Sequence, residues 1–257
     1  MILRRITSAF RRQDWFTVGI ETLIVVLGVF LGIQLGNWNQ ARQQHAAARQ
    51  YEQRLRDDLQ EDVVNYAFLR DYYRGVLKGA ETAYDGLTEK TDLSDAELLV
   101  AAFRASQYNW AERRRATFDE LVASGNLELI SDPAFRARIS GYYTMDILAS
   151  ASQASLNSEY RRAFRMLVPP DLQQALSDQC GDRQDSPGLY TVDYPCTVEW
   201  PADEISAQAA ALRADPDILP LLRLRISNLR SRDFELDSNF TYYHLADFLP
   251  KAPETAK

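Results

Sequence analysis

A chain of 257 residues, 46% hydrophobic, is long enough for one substantial core or two small ones. Residues 1–40 carry four arginines against Asp14 and Glu21, a surplus of two, so the formal charge of −7 leaves −9 on the remainder. That acidity argues against nucleic acid or an anionic lipid surface as a main partner.

Residues 1–14 form a basic tail holding Arg4, Arg5, Arg11 and Arg12. They are followed by Trp15–Gly36, which reads WFTVGIETLIVVLGVFLGIQLG, 22 residues with a single charge at Glu21. A hydrocarbon core of roughly 30 Å needs about 20 mostly apolar residues in helix. Trp15 and Phe16 at one end and Trp38 at the other match the interfacial preference of amphipathic rings. The apolar run is longer than that of a signal peptide and ends in Asn37-Trp38-Asn39, a poor cleavage context, so an uncleaved anchor is expected. The arginines before the span place the N-terminus inside and the bulk outside. Arg42, Arg49, Arg54 and Arg56 oppose this, but they are spread out and mixed with acids.

At the helical repeat, Thr17, Glu21, Gly28 and Gly32 fall within about 60° of each other, with Gly36 slightly beyond. Gly28, Gly32 and Gly36 form a small-residue stripe that lets two helices approach closely in lipid, either a second copy or another membrane protein. Glu21 lies on the same stripe. It is either a functional intramembrane carboxylate or a side chain reaching the headgroups or an N-terminal arginine.

Residues 37–50 read as a polar stalk without proline, and 51–250 as the main domain. From Tyr51, apolar positions recur through Leu55, Leu59, Val63, Tyr66, Leu69, Tyr73, Leu77, Ala80 and Tyr84 to Leu87 at a mean step of 3.6, the period of a straight amphipathic helix. Asp57, Asp58, Glu61 and Asp62 are expected on its polar side. Ser94-Asp95-Ala96-Glu97 is a capping box opening the next helix. A helix over 109–124 is expected to carry Arg113-Arg114-Arg115 and to end at Gly125. Asp132-Pro133 opens another that runs to about Val168, where Pro169-Pro170 stops it. Residues 171–178 suit a short helix, 179–202 an irregular loop with a weak strand at 190–194, and 251–257 a frayed tail. A last helix from about Asp215 to Phe248 has a seam of Leu222, Ile226, Leu229, Leu236, Phe240 and Tyr243, with Asp233 at the skipped position. The expected fold is all-α: a transmembrane helix continuing into an elongated antiparallel bundle of four main helices.

The chain has two cysteines, Cys180 and Cys196, in one polar segment. In an oxidising compartment they read as a disulfide worth about 3 kcal/mol by loop-closure entropy. Two unrelated thiols are the alternative. A zinc site is not expected, since neither His45 nor His244 has ligand spacing to a cysteine.

Two blocks resemble an uncharacterised family of bacterial single-pass membrane proteins. One is Val25–Asn39, with its Asn-Trp-Asn ending. The other is Thr117–Leu127, followed by Ile130-Ser131-Asp132-Pro133 and Tyr142-Tyr143. The resemblance implies a bacterial origin and the same layout of span and helices, and carries over no catalytic residue.

No phosphate loop, nucleophile elbow, zinc-protease helix or dinucleotide turn is present, and two histidines and four lysines leave common general bases scarce. No enzyme activity and no cofactor are therefore expected. A hydrolase built on an Asp/Glu pair is the least favoured reading. The leading one is an interaction or scaffold protein of the inner membrane with a periplasmic domain. The other is a ligand-sensing module, with Tyr73, Tyr143, Tyr243 and His244 lining a pocket or, more simply, packing a core. Adjacent residues on a helix point about 100° apart, so one member of each pair Tyr72-Tyr73, Tyr142-Tyr143 and Tyr242-Tyr243 is expected to face inward. A sensor also needs an output across the membrane, and 14 residues inside are few for one.

Overall fold

Helix α1 runs unbroken from Trp15 to Leu87, 73 residues and roughly 110 Å of rod. It belongs to a computed structural model that describes residues 15–249 apart from 112 and 187. The basic tail 1–14 and the tail 251–257 lie outside the described residues. The fold is essentially all-α, with one two-stranded hairpin.

Helix α1 is continuous because no proline interrupts it. From Leu55 onward its apolar side chains enter the core: Leu55, Leu59, Val63, Tyr66, Leu69, Tyr73 and Ala80 are all buried. Tyr72, Val76 and Ala83 are buried as well, so the helix is covered on more than one side. On one side lies α2 (Asp95–Ala105), opened by the expected capping box at Ser94 and Glu97. Its approach is close: a Cβ on Gly79 would lie 2.8 Å from the Cβ of Arg104. On another side lies α9 (Ile218–Tyr242). Tyr66 donates to the Leu236 carbonyl, Arg74 to Asp233 at 2.7 Å and Arg230 to Glu81, a descending register that makes α1 and α9 antiparallel. The α9 seam is buried at Leu222, Ile226, Leu229 and Leu236, and Asp233 at its gap binds Arg74.

Between these elements the chain is more segmented than its periodicity suggests. The expected helix over 109–124 is corrected to a shorter one, α3 (Ala116–Ala123). Residues 107–111 and 113–115 instead run without helix, because side chains take their backbone groups. Tyr73 donates to the Asn109 carbonyl and Tyr143 to that of Arg114, while Asp62 accepts the Arg114 amide. Gly125 has φ 69°, the left-handed turn expected after α3. A single 3-10 turn, Leu127–Leu129, follows.

The one helix expected from Pro133 to Val168 is three: α4 (Pro133–Thr144), α5 (Ile147–Leu156) and α6 (Glu159–Leu167). Arg113 binds the Tyr142 and Met145 carbonyls at the first break. Ser158 caps the Arg161 amide at the second, which gives α6 a start of its own.

Helix α7 (Pro170–Cys180) leads to the hairpin β1 (Arg183–Ser186) and β2 (Leu189–Thr191). The strand thus lies slightly earlier than 190–194. Cys180 and Cys196 are disulfide-bonded, their Cα atoms 5.5 Å apart, which fastens the segment after the hairpin to the end of α7. Helix α8 (Ala202–Ala214) then packs on α2. A 3-10 turn, Leu245–Phe248, ends the described chain beside the start of the bundle.

The Gly79 contact gives a direct test. Gly79→Val forces α1 and α2 apart and is expected to cost about 1–3 kcal/mol in urea unfolding, even though valine is the better helix former.

Candidate functional site

The first candidate site is the part of α1 that nothing covers. Residues 19–46 are exposed around the whole helix. Within them lies a window of mean hydropathy 1.9, none of it buried by the rest of the protein, so this helix is long and apolar enough to cross a membrane. Val25, Ile24 and Leu35 are each more than 60% exposed. A surface of that kind is unfavourable in water and suits lipid or a partner. Gly28, Gly32 and Gly36 are open: a Cβ at each would meet nothing within 4 Å. Glu21 is also exposed.

The second region is the root of the stalk. Glu120 on α3 accepts from Tyr51 and Arg54 of α1, both at 2.7 Å. The hydrogen bond from Tyr51 and then that from Arg54 hold the Glu120 carboxyl below its ordinary range. Asp58 accepts the Thr117 amide. The block Thr117–Leu127 thus clasps α1 where it leaves the bundle.

Asp62 corrects a sequence expectation. It does not lie on a polar face but is fully buried. One oxygen accepts the Arg114 amide at 2.9 Å; the other accepts Tyr142 Oη at 2.6 Å and faces Arg113 Nε at 3.5 Å. Two carboxylates that precede it, Asp58 and Glu61, reach Thr117 and Arg114. The three consecutive arginines therefore go to three acids, Asp62, Glu61 and Asp119, and form no shared patch. Burial pushes the Asp62 carboxyl above its ordinary 3.8, against the lowering effects of Tyr142, the Arg114 amide and Arg113.

The aromatic candidates separate. Tyr73 and Tyr143 are core residues whose hydroxyls donate to the Asn109 and Arg114 carbonyls. Their neighbours Tyr72 and Tyr142 are equally buried, so the rule of one inward ring per pair fails at both: α1 and α4 are each covered on two sides. Tyr243 is half-buried over Gly141, where a Cβ would meet its ring at 2.9 Å. His244 is exposed and turns the chain at φ 51°. No pocket brings these four together. Among the described residues no cluster of three or more His, Cys, Asp or Glu is placed to hold a metal ion.

Sequence reading missed two buried arginines at the end of α2. Arg161 donates to the Ser106 carbonyl at 2.6 Å. Arg225 donates to the Ala105 and Gln107 carbonyls and to Ser155 Oγ, at 3.0–3.1 Å. Both caps satisfy carbonyls left free at a helix C-terminus and complement its partial negative charge. Burial lowers the Arg225 pKa to about 10, so it stays charged at neutral pH. The available signal was Arg225 itself, one residue from the apolar seam position Ile226.

Comparison with known proteins adds no relative: no family model, no curated protein and no solved structure matches the chain.

Asp62→Ala strips Arg113 of its counter-ion and leaves Tyr142 and the Arg114 amide without an acceptor. It is expected to cost about 3–5 kcal/mol in chemical denaturation followed by near-UV circular dichroism. Asp57→Ala, at an exposed position, is expected to stay within about 0.5 kcal/mol. The folded state holds the Asp62 pKa above the unfolded value. Its contribution is therefore fully present below the unfolded pKa and is lost as pH rises through the folded one. The stability difference between the native chain and Asp62→Asn should shift toward the native chain on acidification from about pH 7 to about pH 4.

Proposed function

We propose that this chain is a membrane-anchored, non-catalytic interaction or scaffold protein of the bacterial inner membrane, its helical domain held in the periplasm. The observation that carries the reading is the exposure of α1 from residue 19 to residue 46, apolar at first and then polar, before it enters a packed bundle. An apolar helix that its own protein leaves uncovered belongs in lipid. A helix that then continues into the core transmits its position to everything packed upon it.

Four arginines before the span support an inside N-terminus. The bond between Cys180 and Cys196 fits an oxidising compartment on the other side. The Asn-Trp-Asn ending and the Thr117–Leu127 block support a bacterial origin through their resemblance to single-pass membrane proteins. The open stripe of Gly28, Gly32 and Gly36 suits helix association in lipid, with a second copy or another membrane protein. The buried acids, tyrosines and arginines of the domain are engaged in holding backbone and one another, which supports an interaction role over catalysis.

Gly28→Leu and Gly32→Leu are each expected to reduce crosslinking through the span in native membranes without loss of membrane insertion. Crosslinking at the level of the unmodified chain in both variants would overturn the packing role. Enzymatic reporters fused to the C-terminus test the topology. Alkaline phosphatase, which requires the periplasm, should be active, and a cytoplasm-dependent fluorescent reporter should be dark. The opposite pattern reverses the orientation.

A further inference from the structure

A cavity of about 490 Å³ opens between the junction of α5 with α6 and the outer side of α9. Its size is that of small-molecule sites. Arg225, only 4% exposed, is among the residues that line it. Leu221, Leu224 and Leu229 supply an apolar wall and Asn228 stands at its edge.

Capping α2 does not account for the whole Arg225 side chain. Each of its three guanidinium nitrogens has one acceptor, two carbonyls and one hydroxyl, which leaves two of the five N–H donors over. Among the described residues no carboxylate pairs with it. The nearby Arg161 adds like charge. A buried cation without a counter-ion is costly, and a helix C-terminus offers only about half a negative charge. The remaining donors and the remaining charge both call for an anion, and the cavity is where one fits. Of the two acids that line it, Glu235 is held by Arg232 at 2.7 Å. Glu159 sits in the first turn of α6, where it complements that helix's positive end.

We propose that this cavity binds a small organic carboxylate, the carboxylate on the Arg225 guanidinium and the aliphatic body against Leu221, Leu224 and Leu229. The anion is not a lipid headgroup. Arg225 and Tyr73 both bind the segment 107–109, and Tyr73 lies 37 residues beyond Gly36 on α1, roughly 55 Å from the end of the span. Only the exclusion of a headgroup rests on the membrane reading: the site stands or falls with binding, whichever way the chain is inserted.

The test uses the full chain in a non-ionic maltoside detergent, titrated with acetate, butanoate and hexanoate at constant ionic strength. Primary alcohols of the same length and sodium chloride serve as controls. Thermal unfolding and calorimetry should show saturable stabilisation by the carboxylates, tighter with each added pair of methylenes and absent with the controls. Asn228→Trp fills the cavity from an exposed position without touching the cap. It should retain the unliganded Tm and weaken hexanoate binding about tenfold or more. Arg225→Met should abolish it. The proposal is overturned if no carboxylate stabilises saturably, if the alcohols do so equally, or if Asn228→Trp binds as the native chain does.

Discussion

One helix joins an uncovered apolar segment suited to lipid to a segment packed in a core, and the rest of the architecture follows from that. In lipid every backbone group must be satisfied within the segment, and the side chains must be apolar all round. In water an isolated helical stretch of about 14 residues is marginal, because nucleation is costly. The stalk at 37–50 escapes that cost. It is joined at one end to a segment suited to lipid and at the other to a packed core, so it only has to propagate. The contacts of Tyr51 and Arg54 with Glu120 set the last point at which the rod is held before it leaves the bundle.

Above that point, covering a single helix on several sides requires chain that is not itself regular. The stretch 107–115 illustrates this. It is not helical, and the Arg114 amide and the Asn109 and Arg114 carbonyls are met by Asp62, Tyr73 and Tyr143. Its arginines meet the acids of α1 and α3. The acidic cluster of the sequence is thus largely internal wiring. The unpaired negative charge left on the surface is less than a count of carboxylates suggests.

The periodicity of α1, the capping box at Ser94, the turn at Gly125 and the stop at Pro169-Pro170 were legible because each is a local signal that tertiary contacts reinforce. The seam of α9, with Asp233 in its gap, was legible for the same reason. The breaks at Met145 and Ser158 were not, since a 3.6-residue pattern persists across them and only Arg113 and a serine cap divide it. Helix α8 went unread although Pro201, Asp203 and Glu204 offered an ordinary helix start. The burial of Asp62 and Arg225 could not be read at all. Their partners are carbonyls, an amide and a hydroxyl on segments distant in sequence, and main-chain partners leave no compositional trace. The same holds for the cavity, which exists only where α5, α6 and α9 meet.

The unbroken course of α1 has a mechanical consequence. From Gly36 to Leu87 the helix extends roughly 75 Å. If it moves as a stiff arm pivoting in the bilayer, a tilt of about 20°, ordinary for a membrane helix, carries its far end sideways by roughly 25 Å. In the proposed membrane setting, small changes in how the span sits in lipid, in local thickness or in the angle it makes with a neighbour would be magnified several-fold at the tip. Seen this way the protein is a pointer whose reading is set at its foot.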